Sequence, residues 1–140
     1  MLNDNKASWS SYAPIVMRYG LAAVFLWFGM NQLFNTSNFI GYLPDILFNS
    51  GYASSFVVLN AVFEIIAAIL LILGRFTRVI AAILGLHLLG IMFDLGYGET
   101  LVRDFGIFIG TLGIFLHGPD KWCLDSKYGG GRSHGKRNNE

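Results

Sequence analysis

Four long apolar stretches, set apart by short polar or glycine-marked breaks, dominate the chain; they cover residues about 14–34, 55–73, 77–93 and 101–116. Each approaches the ~20 residues that a helix needs to cross ~30 Å of hydrocarbon. Only helices and closed barrels satisfy their own backbone groups in that medium. The pattern therefore predicts an all-α integral membrane protein, a four-transmembrane antiparallel helical bundle. Pro14 suits the first turn of span 1, and the tight turn Gly74, Arg75, Phe76 makes spans 2 and 3 antiparallel neighbours. Span 4 has the shortest apolar core, because Arg103 and Asp104 stand near its start.

Between spans 1 and 2, Phe39, Ile40, Leu43, Ile46 and Leu47 recur at helical spacing around Pro44. This spacing predicts a short interfacial helix capping one mouth of the bundle, with a surface loop as the alternative because Gly41 and Pro44 interrupt it. Pro119 breaks the chain after the last apolar run. The resulting division is a polar N-terminal segment 1–13, a transmembrane domain 14–120 and a polar tail 121–140.

Composition agrees with a membrane setting: 54% of residues are hydrophobic and 14% charged. The net charge of +1 matters less than where the cations fall. With four spans, Lys6, Arg18, Arg75, Arg78 and the tail residues Lys121, Lys127, Arg132, Lys136 and Arg137 share one side, and Arg103 lies opposite. The expectation is a cytoplasmic (inner) membrane protein with both termini cytoplasmic. A three-span chain would separate the tail cations from Arg75 and Arg78. Arg18, one turn inside span 1, is expected to snorkel to the interface, and Trp9 and Tyr12 to sit at a headgroup boundary. No cleavage motif follows span 1, which is expected to remain as an uncleaved anchor.

The same inventory narrows the chemistry. A single cysteine, Cys123, cannot form an internal disulfide or a C-x-x-C pair, and reads as an ordinary thiol near the membrane surface. The tail is expected to be flexible, with modest affinity for anionic headgroups. No groove-reading or base-stacking module suggests nucleic acid, and no ligand-spaced cluster suggests a metal. Membrane lipid and other membrane-protein subunits are the expected partners.

One acid stands out. Glu64 lies in the middle of span 2, where a carboxylate needs an interior or watery surrounding and a partner. Counting from the Gly74 turn, Glu64 and His87 both lie ~15 Å into the membrane, so a hydrogen bond or ion pair between them is expected. Asn60 is one turn from Glu64 on the same face. Asn31 and Gln32 of span 1, Asp94 of span 3, and Arg103 and Asp104 of span 4 collect in the same outer half, so that the candidate polar site draws on all four spans. The alternative is that these groups are interhelical glue. Gly106, Gly110 and Gly113 on span 4 and Ala81, Ala82 and Gly85 on span 3 allow close packing, expected within the bundle.

The stretches LAAVFLWFGMNQLF, IGYLP, FEIIAAILLILGRFTR and RDFGIFIGTLGIFLHGPDKWCLD together resemble the DoxX-like family, which includes the small membrane subunit of thiosulfate:quinone oxidoreductase. The similarity runs over roughly residues 15–127, and its most specific elements are Glu64 followed by L-x-x-G-x-x-T-R and the Arg103–Asp104 pair. The family pattern has a lysine before the Leu-Phe that closes span 1, where this chain has Gln32. The resemblance implies a small membrane subunit or partner of a respiratory or redox complex. Quinone is the cofactor that this suggests, with Glu64, His87 and Asn60 bordering its headgroup and Trp27 and Phe28 as packing surfaces. A purely structural accessory subunit and a small-solute transporter working as an oligomer are the alternatives.

Overall fold

The computed structural model describes residues 9–95 and 98–129. Lys6, Arg132, Lys136 and Arg137 of the expected charge pattern lie outside them. The described chain is helical, with no strand among its residues. Four helices are long and apolar enough to cross a membrane: α1 (Ala13–Phe34), α3 (Ala53–Leu73), α4 (Thr77–Leu95) and α5 (Glu99–His117). Helices α2 (Asp45–Phe48) and α6 (Leu124–Gly129) are short.

The long helices form an antiparallel ring in which α1 packs most extensively on α3 and α4 on α5, with lighter seams between α1 and α5 and between α3 and α4. Small residues set the α1–α3 distance. A Cβ at Gly29 would stand 2.9 Å from the Ala61 carbonyl oxygen and 2.7 Å from Ile65 Cγ1, so only glycine permits this approach. On α5, Gly110 and Gly113 meet Leu21 and Met17 of α1, whereas Gly106 faces open space. The small-residue face thus works inside the bundle. Phe25, Ala68, Leu71, Leu84 and Ile114 form the apolar core between the four helices.

Helix α3 ends in a Schellman motif: Gly74 adopts φ +64°, its N–H reaches the Leu71 carbonyl and the Arg75 N–H reaches that of Leu70. The chain then reverses directly into α4. Between α1 and α3 the expected interfacial helix is divided into 3₁₀ turns at Thr36–Asn38 and Ile40–Tyr42 and the four-residue α2. The break has a local cause. Leu43 precedes proline and takes an extended conformation, with φ −78° and ψ 145°.

The end of the bundle carrying the Gly74 turn also carries both ends of the described chain, and here the expectations for Arg18 and the start of the tail need correction. Arg18 does not snorkel outward. It is 1% exposed, its Nε donates to Asp120 Oδ2 at 2.8 Å, and its Nη1 donates to the Leu71 and Ile72 carbonyls at the C-terminus of α3. A carboxylate and the negative, carbonyl-bearing end of a helix attract the guanidinium inward more strongly than the interface does. Cys123 is buried against the turn, its backbone so close that a Cβ on Gly74 would lie 2.6 Å from Cys123 Cα. Asp125 caps α4 by accepting the Phe76 and Thr77 N–H groups at 2.9 and 2.8 Å. Residues 118–126 therefore form a strap over the Gly74 turn, where a free tail was expected from residue 121 onward. Burial alone would raise the Asp120 carboxyl, but hydrogen bonds from Arg18 and the Trp122 amide hold it below the usual carboxylate range. At Asp125 burial again opposes, and the donors of Thr77 and Phe76 prevail in the same direction.

Candidate functional site

Halfway along α3, the Glu64 carboxylate is 4% exposed and lies among polar groups from three helices. Gln32 Nε2 of α1 donates to Oε2 at 3.0 Å, Asn60 Nδ2 of α3 donates to Oε1 at 3.1 Å, and His87 Nε2 of α4 stands 3.3 Å from Oε1. The Asn60 amide also donates to Gln32 Oε1 at 2.9 Å, which closes Gln32, Asn60 and Glu64 into a ring. The acceptor-only carboxylate fixes the orientation of both amides: each turns its NH₂ toward Glu64, and Gln32 gives its carbonyl to Asn60. Fixed N–H donors fill two of the contacts. The His87 contact differs, because imidazole and carboxyl can each hold the shared proton.

Helix geometry decides which of the candidate residues take part. Asn60 and Glu64 share a face by their i,i+4 spacing. Gln32 and Asn31 are adjacent in sequence and therefore ~100° apart around α1; the Gly29–Ala61 contact turns Gln32 inward, and Asn31 instead bonds the Trp27 carbonyl of its own helix. His87 is held from the other side by the Phe63 ring, at 5.2 Å between centroids.

The network forms the polar wall of a cavity of about 740 Å³ between the helices. Its other walls are mainly apolar, from Phe25 and Phe28 of α1, Phe56, Leu59 and Phe63 of α3, Leu86 and Leu88 of α4 and Ile107 of α5. The turns after α1 roof one side through Phe39, Tyr42, Pro44 and Leu47. A second polar group enters from α5. Arg103 Nε donates to Asp104 Oδ1 at 2.7 Å, Asp104 is 4% exposed, and the guanidinium lies 4.7 Å from the centre of the Phe28 ring. This cation–aromatic contact holds Arg103 over the cavity.

The structure thus brings Gln32, Asn60, Glu64, His87, Arg103 and Asp104 to one cavity, with exposed Asp94 also on its lining. Asn31 lies apart from the lining, and Trp27 is 60% exposed on the outer face, edge-on to Phe28. Phe39, Leu43 and Leu47 on the lining belong to the segment expected to cap one mouth, and their helical spacing is the signal that marks them, whereas Tyr42 falls outside that spacing. Among the described residues no group of three His, Cys, Asp or Glu side chains is placed to share a metal ion.

In shape and polarity the cavity suits an amphiphile. Its volume falls within the ~300–1,000 Å³ common for small-molecule sites, and its polar groups gather at Glu64 and at Arg103 while apolar side chains make up the rest.

Comparison with known proteins gives one finding. The family model described as DoxX matches residues 13–96, a stretch that holds Gln32, Asn60, Glu64 and His87, whereas Arg103 and Asp104 lie beyond it. No curated protein and no solved structure matches the chain.

Proposed function

The chain belongs to the DoxX family of membrane proteins, and from that premise we propose that it is a small subunit or partner of a respiratory or redox membrane complex in which its cavity borders a quinone headgroup. The observation that carries this reading is the Glu64–His87 pair on the polar wall of an otherwise apolar cavity. A bound quinone would supply two-electron chemistry, taking electrons from a reduced centre of the partner protein and two protons at its carbonyl oxygens to become the quinol. This chain's part is the binding and the protons. Glu64 and His87 are the groups that pass protons to the quinone, and the cavity mouth beside Asp94 and Arg103 is where those protons are replaced. Gln32 and Asn60 hold the carboxylate in place, and Phe25 and Phe28 supply a flat apolar wall.

The orientation proposed with this reading puts the Gly74 end in the cytoplasm and the cavity mouth on the outer side of the cytoplasmic membrane. Arg18, Arg75, Arg78 and Lys121 at that end support it through the positive-inside rule.

The test uses Glu64→Gln and His87→Ala in the native complex. General acid catalysis by a positioned group contributes ~10²–10⁴-fold, so quinone-dependent activity should fall by about 10²-fold or more while assembly stays normal. Normal assembly with unchanged activity sinks the proposal.

A second reading rests on a different observation: among the described residues every buried side-chain nitrogen and oxygen has a partner. A polar ring binding α1, α3 and α4 is also what a structural accessory subunit needs. Under that reading Glu64→Gln weakens assembly and leaves the turnover of assembled complexes intact.

A further inference from the structure

On one side, between α3 and α4, residues of the cavity wall are also outer surface of the bundle. Helices α3 and α4 are joined at the Gly74 turn and bridged halfway by Glu64 and His87, but the seam between them is light. Leu59 of α3 and Leu86 of α4 line the cavity and are 66% and 69% exposed, so the same two side chains face both the interior and the surroundings of the bundle. Gly90, one turn beyond Leu86, also lines the cavity; it is exposed, and a Cβ placed there would meet nothing within 4 Å. The residues at this gap, Phe56, Leu59, Leu86 and Gly90, are apolar, and they lie on helices that cross the membrane. Hydrocarbon therefore covers the gap, and a polar solute would have to leave water to use it.

We propose that the cavity is loaded from the bilayer through the gap between α3 and α4, and that its ligand is a lipid-soluble amphiphile whose apolar chain stays between Leu59 and Leu86 while its compact polar head reaches Glu64 and His87. This rests on the cavity being a ligand site, as proposed above, and adds the route and the chain. The head belongs at the polar ring because an unpaired carbonyl or hydroxyl is costly anywhere along the apolar walls. The chain belongs in the gap because hydrocarbon on one side and Leu59 and Leu86 on the other give it a continuous apolar path. Gly90 keeps that path open by leaving it unfilled.

The experiment places the full chain in phosphatidylcholine vesicles containing a small fraction of phosphatidylcholine with a photoreactive diazirine in its acyl chain, and maps the adducts after illumination. Phe25 and Leu88 line the cavity and are only 3% and 5% exposed, so adducts on them report acyl chain that has passed through the gap. The expected result is labelling of Phe25 and Leu88 in the wild type and its loss in Gly90→Phe, with labelling of outward-facing Leu59 and Leu86 retained in both. A Cβ at Gly90 meets nothing within 4 Å, so the backbone there accepts a side chain without a clash at its first carbon; Gly90→Ala should keep the interior labelling, and Leu59→Trp should close the gap from the other helix. Interior labelling that is absent in the wild type, or unchanged in Gly90→Phe and Leu59→Trp, overturns the proposal. A long-chain quinone added to the same vesicles separates the two readings: interior adducts that quinone fails to displace keep the side route and sink the quinone site.

Discussion

His87 Nε2 stands 3.3 Å from Glu64 Oε1, so two groups able to exchange a proton bridge α3 and α4 halfway along their length. Because Gln32 and Asn60 supply the other donors to the same carboxylate, Glu64 is also the point at which three helices meet. Removing it leaves buried amides without their acceptor, and each orphaned group costs ~1–3 kcal/mol. Glu64→Ala should accordingly lower stability by about 2 kcal/mol or more, whereas Glu64→Gln, which keeps one of the two acceptor oxygens, should lose less. Unfolding of the purified protein in detergent, followed by circular dichroism, checks the order of the two variants.

Gly29 governs how closely α1 approaches that network. Gly29→Ala puts a methyl group 2.9 Å from the Ala61 carbonyl oxygen, a backbone atom that cannot yield without moving α3. Overpacking of this kind costs ~1–3 kcal/mol. The shift also lengthens the Gln32–Glu64 hydrogen bond, so Gly29→Ala should loosen the polar network as well as lower stability. Gly20→Ala, on the same helix but with nothing within 4 Å, is the control and should not destabilise, since alanine is the better helix former.

Much of this arrangement was legible in the sequence, and the part that was not has a physical cause. The rise of a helix is fixed, so counting from the Gly74 turn gave the common level of Glu64 and His87. Rotation about a helix axis is not fixed by counting. Which of Asn31 and Gln32 turns inward depends on the Gly29 contact with a helix more than thirty positions away. The segment before α2 divides at Leu43 and Pro44; Pro44, with Gly41, is the signal for the loop alternative, and the apolar period through Leu43 favours an unbroken helix. Arg18 and Asp120 lie 102 residues apart. A charge count that follows cations alone places Arg18 on the correct end of the bundle without finding the acid beside it.

Gly74 has two reasons to be glycine: a φ of +64° and the backbone of Cys123 at 2.6 Å from where a Cβ would lie. Gly74→Ala should cost more than the ~1 kcal/mol of a strained left-handed residue alone, because the strap must also lift. Faster alkylation of Cys123 by a maleimide reports that lifting directly. An alkylation rate equal to that of the wild type would count against the strap as described.

The Arg18–Asp120 ion pair is sealed, with the side chains 1% and 3% exposed. Breaking a buried pair from one side strands the other charge and typically costs ~3–5 kcal/mol. Asp120→Asn and Arg18→Gln should each fall in that range, and the double variant should be less damaging than their sum. A double-mutant cycle that comes out additive would mean that the two residues do not act together.

Acid should loosen the same end of the molecule. Asp120 and Asp125 both titrate below their ordinary value of 3.8, so their contribution to stability is complete above that value and fades as pH falls through their lower folded-state values. Melting temperature should therefore be flat with respect to these two groups from neutral pH down to about the ordinary carboxylate value and decline below it. Asp125→Asn should flatten part of that decline.

The pairing of Arg18 with Asp120 also orders events during synthesis. The arginine enters the first helix when its carboxylate partner has yet to be translated, and the carbonyls of Leu71 and Ile72 that also receive it appear only once α3 is made. Until then the charge must be solvated at the membrane boundary, by water or by lipid phosphates. A ribosome that has produced all four spans still holds an unlatched bundle. The strap of residues 118–126, made after α5, closes the first helix and the α3–α4 turn in one step, so truncation before residue 126 should leave a protein that inserts but does not lock.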